Sequence, residues 1–179
     1  MHEESHQAAF VNLLGWLISV LALILVCSGC DSTTTGVGTI IPTGQLVNMS
    51  ECKGWPPEGD KEEVPSDQDC IQYTYVGRNL LLLRHINAGF NCCPRIEAHI
   101  YVQGRTIFIV EHELEGNCRC LCLFDLDYEV RNLEPGVYRV MVSQEYLEPG
   151  DQPLHFTINL LTSPSGTHCV KRQHYPWGL

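Results

Sequence analysis

The chain has 179 residues, with 21 Asp and Glu against 11 Lys and Arg, and a formal net charge of −10 at pH 7. An acidic balance of this size excludes nucleic acid as a predicted partner, because binding to phosphates needs an excess of cations. It also excludes electrostatic docking on anionic lipid. The length is that of one domain with a hydrophobic core, preceded by a shorter segment.

An apolar segment near the N-terminus ends close to a cysteine. Residues 8–26 carry no charge, and they lead into the run Val26-Cys27-Ser28-Gly29-Cys30-Asp31. The small residues before Cys30 resemble the lipobox of bacterial lipoprotein precursors. This resemblance implies that residues 1–29 are a signal peptide and that Cys30 carries the lipid. The protein would then be anchored to the cell membrane and face the periplasm or the exterior. The alternative is a transmembrane anchor over residues 8–26, which are long enough to span a bilayer.

Residues 30–69 are predicted to form a connecting segment. Residues 31–44 are rich in Ser, Thr and Gly and can bury little surface, so they predict a flexible tether. Residues 51–69 contain seven acids and two lysines, with prolines at positions 56, 57 and 65. This composition predicts an irregular acidic segment that Cys52 ties to the domain.

From residue 70 onward the chain consists of short β-rich runs separated by turns. Seven runs predict strands, at 71–76, 80–86, 96–102, 106–113, 118–130, 137–146 and 154–161. Turn signals such as Gly77-Arg78-Asn79 and Glu148-Pro149-Gly150 separate them. Because no long helical pattern intervenes, the sequence predicts an all-β, antiparallel sandwich over residues 70–162. Residues 163–179 are predicted to form a C-terminal tail.

A turn late in this region resembles one found in immunoglobulin-like and fibronectin type III domains. Its sequence is Leu133-Glu134-Pro135-Gly136-Val137-Tyr138. In those folds a corner tyrosine, here Tyr138, hydrogen-bonds to the backbone a few residues upstream. The resemblance implies an immunoglobulin-like architecture. Residues 89–146 also resemble an uncharacterised domain of bacterial lipoproteins, through Asn91-Cys92-Cys93-Pro94, Cys118-x-Cys120-x-Cys122 and Phe124-Asp125-Leu126-Asp127-Tyr128, and this second resemblance implies no activity.

The cysteine count supports an extracytoplasmic location. Of ten cysteines, Cys27 would be lost with the signal peptide and Cys30 would carry the lipid. An even number remains and predicts four disulfides in an oxidising compartment, with the connectivity left open: Cys52, Cys70, Cys92, Cys93, Cys118, Cys120, Cys122 and Cys169. Cys92 and Cys93 project to opposite sides of an extended chain, so we expect them to have different partners, at least one of them within 118–122.

The closely spaced cysteines also define a strand face. Residues two apart share a face, so Cys118, Cys120 and Cys122 are predicted to face the core with Phe124, Leu126 and Tyr128. The turn at Gly116-Asn117 predicts a hairpin between 106–113 and 118–130, in one of two registers. A two-residue turn places Glu111 opposite Cys122. A three-residue loop places His112 there instead and gives the better apolar matching.

The second register suggests a metal site as an alternative to disulfides. Zinc or copper would accept a nitrogen from His112 and sulfurs from Cys120 and Cys122, with Cys92 or Cys93 as a further ligand. Disulfide bonding is the favoured hypothesis, because extracytoplasmic cysteines at this density usually pair.

The remaining candidate residues form no catalytic motif. The run Glu111-His112-Glu113-Leu114-Glu115 lacks the second histidine of a metalloprotease helix. His85, His99 and His155 are predicted to be surface or hydrogen-bonded core histidines. Carboxylates at 125, 127 and 129 could bind calcium, but pairing with Arg84 or Arg139 is favoured because one strand seldom supplies enough ligands.

The sequence therefore predicts a lipid-anchored binding or structural module of the cell envelope. It is not predicted to be an enzyme or to need a cofactor. Its expected partners are the membrane, through the N-terminal lipid, and an unidentified envelope protein or ligand. The alternatives are a metal-binding protein that uses the Cys/His cluster, and a thiol-disulfide enzyme, which the missing Cys-x-x-Cys motif disfavours.

Overall fold

The computed structural model describes residues 40–53, 64–116 and 118–173. This part of the chain is all-β and has no helix. Its nine strands are β1 (Thr43–Met49), β2 (Gln68–Tyr75), β3 (Leu81–Asn91), β4 (Pro94–Gln103), β5 (Thr106–Gly116), β6 (Leu121–Arg131), β7 (Val137–Ser143), β8 (His155–Asn159) and β9 (Ser165–Lys171). The predicted all-β class is confirmed. The segment predicted as a signal peptide, residues 1–29, and the predicted lipidation site Cys30 lie outside the described residues.

The strands form two sheets. The five-stranded sheet has the order β1-β6-β3-β2-β9, and the four-stranded sheet has the order β4-β5-β7-β8. All neighbours are antiparallel except β5 and β7, which run parallel from Thr106↔Arg139 to Val110↔Ser143. The prediction of a wholly antiparallel sandwich is therefore wrong at this one pairing. Because β5 and β7 are parallel, the chain leaves the four-stranded sheet after β5 and returns to it at β7.

One hydrophobic core joins the inner faces of both sheets. Alternate residues of each strand point inward because the side-chain period of a strand is two. The five-stranded sheet contributes Leu81, Phe90 and Leu126, and the four-stranded sheet contributes Ile109 and Val140, all buried in one contiguous cluster. Complete burial of each large apolar side chain stabilises the fold by roughly 1.5–3 kcal/mol.

Strands at both ends of the sandwich were missed by the sequence prediction. Strand β1 lies in the segment predicted as tether and acidic connector, and β9 lies in the predicted C-terminal tail. Both are edge strands of the five-stranded sheet. Both contain residues that are disfavoured in strands, Gly44 and Asn48 in β1 and Gly166 in β9, so pairing with β6 and β2 holds them in place. The sandwich therefore extends beyond the predicted 70–162 at both ends.

The predicted hairpin between β5 and β6 is wrong in both registers. Strand β5 pairs with β4 and β7, whereas β6 pairs with β1 and β3 in the other sheet. The turn signal at residues 116–117 therefore marks a crossing between sheets. Neither Glu111 nor His112 is a cross-strand neighbour of Cys122. Glu111 instead points into the core from the four-stranded sheet and meets Tyr128 across it.

Candidate functional site

The eight cysteines after Cys30 lie in pairs at disulfide distance. The pairs are Cys52–Cys122, Cys70–Cys169, Cys92–Cys120 and Cys93–Cys118, with Cα–Cα separations of 5.7, 4.1, 5.5 and 5.9 Å. As predicted, Cys92 and Cys93 have different partners, and both partners lie within 118–122. Three of the four disulfides therefore have one cysteine within 118–122, at or just before the start of β6. The fourth joins β2 to β9.

The face prediction for the closely spaced cysteines is right for one of the three. Cys122 is buried in the core with Phe124, Leu126 and Tyr128. Cys118 and Cys120 precede β6 and are exposed, because the strand begins only at Leu121.

The structure separates the residues of the alternative metal site. Cys92, Cys93, Cys120 and Cys122 each have a disulfide partner, and a disulfide sulfur is not a thiolate ligand. His112 lies on the outer face of β5, opposite Glu97, and its Nδ1 is 3.7 Å from the Glu145 carboxylate. Within residues 40–53, 64–116 and 118–173, no group of three or more His, Cys, Asp or Glu side chains is placed to hold a metal ion.

A chain of buried charges crosses the core between the two sheets. His85 on β3 lies between two carboxylates, with its Nε2 2.6 Å from Asp69 on β2 and its Nδ1 2.6 Å from Glu111 on β5. Beyond Asp69, the guanidinium of Arg172 contacts the second carboxylate oxygen. We call Asp69, His85, Glu111 and Arg172 the inner charge cluster. All four residues are almost completely buried.

The geometry around His85 favours the charged form of its ring. Each ring nitrogen lies 2.6 Å from a carboxylate oxygen, and an ionised carboxylate only accepts hydrogen bonds. Two ionised carboxylates therefore stabilise the imidazolium, in which both nitrogens donate. Burial opposes this charge, but the Glu111 and Asp69 carboxylates outweigh burial and raise the pKa of His85 to about 10. In return, although burial acts to raise the pKa of Asp69, the charges of His85 and Arg172 hold it below its usual value.

Polar neighbours complete the inner charge cluster. The Gln144 amide donates to Asp69 Oδ2 at 2.8 Å, and its oxygen accepts from Arg172 at 2.8 Å. The Tyr128 hydroxyl donates to Glu111 Oε1 at 2.5 Å, and burial together with the Glu111 charge raises the pKa of Tyr128. Glu111 Oε2 is buried and has no partner among the described residues. The cluster holds two positive and two negative charges, as expected where ions are buried.

A second group of charges lies on the outer face of the same sheet. Asp125 on β6 pairs with Lys53 at 2.6 Å and with Arg84 at 2.8 Å. We call Lys53, Arg84 and Asp125 the outer charge cluster. Asn87 joins it by accepting from Lys53 Nζ at 2.7 Å. Burial acts to raise the pKa of Asp125, but hydrogen bonds from Lys53 and Arg84 lower it overall.

Strand β3 is interrupted by a bulge at Asn87. The β3–β6 register shifts between His85 and Ala88, and Asn87 has a left-handed φ of 66°. Asparagine tolerates this conformation better than most residues. Its side-chain amide donates to the Pro65 and Gln68 carbonyls at 3.1 and 2.8 Å, so the bulge also fixes the chain that leads into β2.

Several predictions on individual residues are confirmed. His85 is a hydrogen-bonded core histidine, and Asp125 pairs with Arg84. No carboxylate of the described residues pairs with Arg139, and Glu129 pairs with Arg131 instead. The Tyr138 hydroxyl donates to the Glu134 carbonyl at 2.8 Å, which is the hydrogen bond expected of a corner tyrosine.

The sequence prediction missed the inner charge cluster as a unit. Its members are spread from position 69 to 172, so no local spacing connects them. The available signal was a charged residue within each of two apolar strands, Glu111 after Ile109 and Val110, and His85 after Leu83.

Comparison with protein-family models, curated proteins and solved structures finds no match for this chain. In the part of the chain that the structure describes, no helix is long and apolar enough to cross a membrane.

Proposed function

We propose that this protein is a lipid-anchored module of the cell envelope that binds or supports another envelope component and catalyses no reaction. The observation that carries this proposal is the complete pairing of the cysteines after Cys30. Four disulfides in one small domain are typical of an oxidising compartment. This agrees with the address implied by the lipobox at Cys30, which leaves an even number of cysteines for the domain.

The chemistry of the charged residues supports a non-catalytic role. A general acid or base must reach a substrate proton. Asp69 and His85 have no exposed surface, and both nitrogens of His85 are already engaged by carboxylates. The inner charge cluster is therefore suited to joining the two sheets and holding the end of β9, so that the sandwich presents rigid outer faces to a partner.

The immunoglobulin-like character of the sandwich is part of the same proposal. Two packed sheets and the Tyr138–Glu134 hydrogen bond support it. Domains of this architecture often act as binding modules whose loops or faces carry recognition.

The test is the intact mass of the full-length protein, extracted from membranes of the expressing bacterium and denatured in an alkylating reagent without reductant. We expect an N-terminus at Cys30, added acyl mass and no alkylated thiol. Cys30→Ser should abolish the acyl mass, whereas the matched variant Cys27→Ser should leave the mass of the mature protein unchanged.

Two outcomes would contradict the proposal. An uncleaved chain without lipid would favour the transmembrane anchor over residues 8–26. Alkylation at Cys92, Cys93, Cys118, Cys120 or Cys122 would show free thiols and favour the metal-binding or thiol-disulfide alternatives.

A further inference from the structure

The outer face of the four-stranded sheet carries a row of large side chains that crosses all four strands. Tyr101 on β4 is opposite Phe108 on β5, Phe108 is level with Met141 on β7, and Met141 is opposite His155 on β8. We call these four residues the aromatic row. Their sequence neighbours Ile100, Ile107, Val140 and Leu154 are buried in the core, so the row itself faces outward, and Tyr101 is 47% exposed.

The Tyr101 and Phe108 rings of the row stand on edge. Tyr101 and Phe108 stack with their centroids 4.8 Å apart and an angle of 14° between their planes. That separation matches the roughly 4.7–4.9 Å spacing of neighbouring strands, so the ring normals point along the sheet. The rings therefore show their edges above the sheet, and each ring covers one face of the other. Sugar rings are stacked by flat ring faces, whereas ring edges are suited to contact with an aliphatic or aromatic side chain.

The rows on either side contain no carboxylate. On one side, Thr106, Arg139 and Thr157 follow one another across β5, β7 and β8. On the other side, His99, Val110 and Ser143 occupy the next outward positions. Arg139 is exposed, and no carboxylate of the described residues pairs with it. Acids enter only one row further on, where Glu97 and Glu145 flank His112.

This distribution is unusual for a chain with a net charge of −10. Several other cations of the described residues pair with acids: Lys53 and Arg84 with Asp125, Arg95 with Glu115, Arg131 with Glu129, Lys171 with Asp67, and Arg172 with Asp69. The face around the aromatic row thus combines an apolar strip, two histidines and a guanidinium that pairs with no carboxylate of the described residues, and its acids lie only at the margin. Its charge complements an anion that also carries apolar groups.

We propose that the aromatic row and Arg139 form a docking surface for an acidic polypeptide segment that bears at least one apolar or aromatic side chain. The apolar side chain lies against the edges of Tyr101 and Phe108 and the Met141 thioether, and a carboxylate pairs with Arg139. Arginine binds carboxylates with two hydrogen bonds, and interface hot spots are rich in aromatic residues and arginine. This inference deepens the proposed function, on which it rests, by naming the partner class and the face.

The test uses the full-length protein in non-ionic detergent and a fluorescent random copolymer of glutamate and tyrosine, with fluorescence anisotropy as the readout. We expect the copolymer to bind more tightly than polyglutamate. Arg139→Glu and Tyr101→Thr should each weaken binding by about tenfold or more. The matched control is Arg78→Glu, which makes the same charge change in the β2–β3 turn, away from this face, and should bind as the unmodified chain does. Equal melting temperatures of the variants exclude unfolding as the cause, and Arg139→Gln should fall between the parent and Arg139→Glu.

Four outcomes would overturn the inference. The first is that the copolymer does not bind, and the second is that Arg78→Glu and Arg139→Glu weaken binding equally. The third is that hyaluronate binds more tightly than the copolymer and that Tyr101→Thr has no effect. The fourth is self-association in sedimentation that Arg139→Glu abolishes. The third would identify an anionic glycan as the partner, and the fourth a second copy of the chain. Because the mass measurement on Cys30 does not involve this face, its result separates failure of the docking surface from failure of the anchored-module proposal.

Discussion

The inner and outer charge clusters are built alike but lie in different surroundings. In each, one ionised residue directly follows or precedes a disulfide cysteine, and its partner lies three residues beyond the other cysteine of that disulfide. Asp69 adjoins Cys70, and Arg172 follows Cys169. Lys53 adjoins Cys52, and Asp125 follows Cys122. The alternation of β3 even places the neighbours Arg84 and His85 in opposite clusters.

Burial is what distinguishes the two clusters. The side chains of His85, Asp69 and Glu111 have 0% exposure, whereas Lys53, Asp125 and Arg84 are 16, 11 and 48% exposed. Charges buried without water depend on each other completely, because removal of one leaves another without compensation. Charges near the surface are compensated by water and screened by salt. The same arrangement of a disulfide and an ion pair should therefore give large effects inside the sandwich and small ones outside it.

The largest expected difference is in pH dependence. The folded pKa of His85 lies at about 10 against an ordinary value of 6.5. Its contribution to the free energy of unfolding is therefore complete below pH 6.5, declines as pH rises, and is lost above about pH 10. The total is on the order of 5 kcal/mol. Urea unfolding between pH 6.5 and 10 measures it, and His85→Gln should flatten the profile. A parent profile that is already flat over this range would show that His85 is not charged in the fold.

The second largest difference is expected in the free energy of unfolding when one charge is removed. We expect Glu111→Gln to lower the free energy of unfolding by about 3–5 kcal/mol, because it leaves the buried His85 imidazolium with only Asp69. Glu115→Gln makes the same change on the same strand, at an exposed pair with Arg95, and should cost less than about 1 kcal/mol. Chemical denaturation at pH 7 compares the two variants. Equal costs would contradict the role of burial.

The disulfides next to the two clusters should stabilise the fold by similar amounts. A difference between the clusters can then be assigned to their ion pairs. Their sequence separations are 99 residues for Cys70–Cys169 and 70 for Cys52–Cys122. A disulfide typically contributes about 2–4 kcal/mol, and loop entropy predicts a difference below about 0.5 kcal/mol between these two. The double variants Cys70→Ala/Cys169→Ala and Cys52→Ala/Cys122→Ala test this by thermal and chemical unfolding. A much larger loss for the first pair would mean that the inner charge cluster needs its disulfide to stay assembled.

The sequence was sufficient for the parts of this fold that depend on local pattern. It predicted the all-β class, the turn at Gly77-Arg78-Asn79, where all three residues have positive φ, and the core face from Cys122 to Tyr128. These follow from the two-residue period of strands and from turn chemistry. The corner hydrogen bond of Tyr138 spans only four residues and was equally accessible.

The pairing of residues far apart in the chain could not be predicted from local sequence patterns. The crossing from β5 to β6 carries the glycine of a hairpin turn, yet the two strands lie in different sheets because β7 and β4 flank β5. The inner charge cluster joins residues up to 103 positions apart. A lone His or Glu in an apolar strand indicates that a buried partner exists, but the partner's position depends on sheet order, which no local pattern contains.

The outer charge cluster tests whether partial exposure gives an intermediate cost. Asp125→Asn keeps the shape of the side chain and removes the charge that Lys53 and Arg84 share. We expect a loss of about 1 kcal/mol in the free energy of unfolding, between that of a surface pair and that of a buried pair. The loss should shrink in 1 M salt, where the screening length is about 3 Å, whereas the cost of Glu111→Gln should persist because its partners are sealed from solvent. If the cost of Asp125→Asn did not change with salt, the outer charge cluster would be shielded from solvent like the inner charge cluster. The segment around Cys52 and Lys53 would then exclude water from that face.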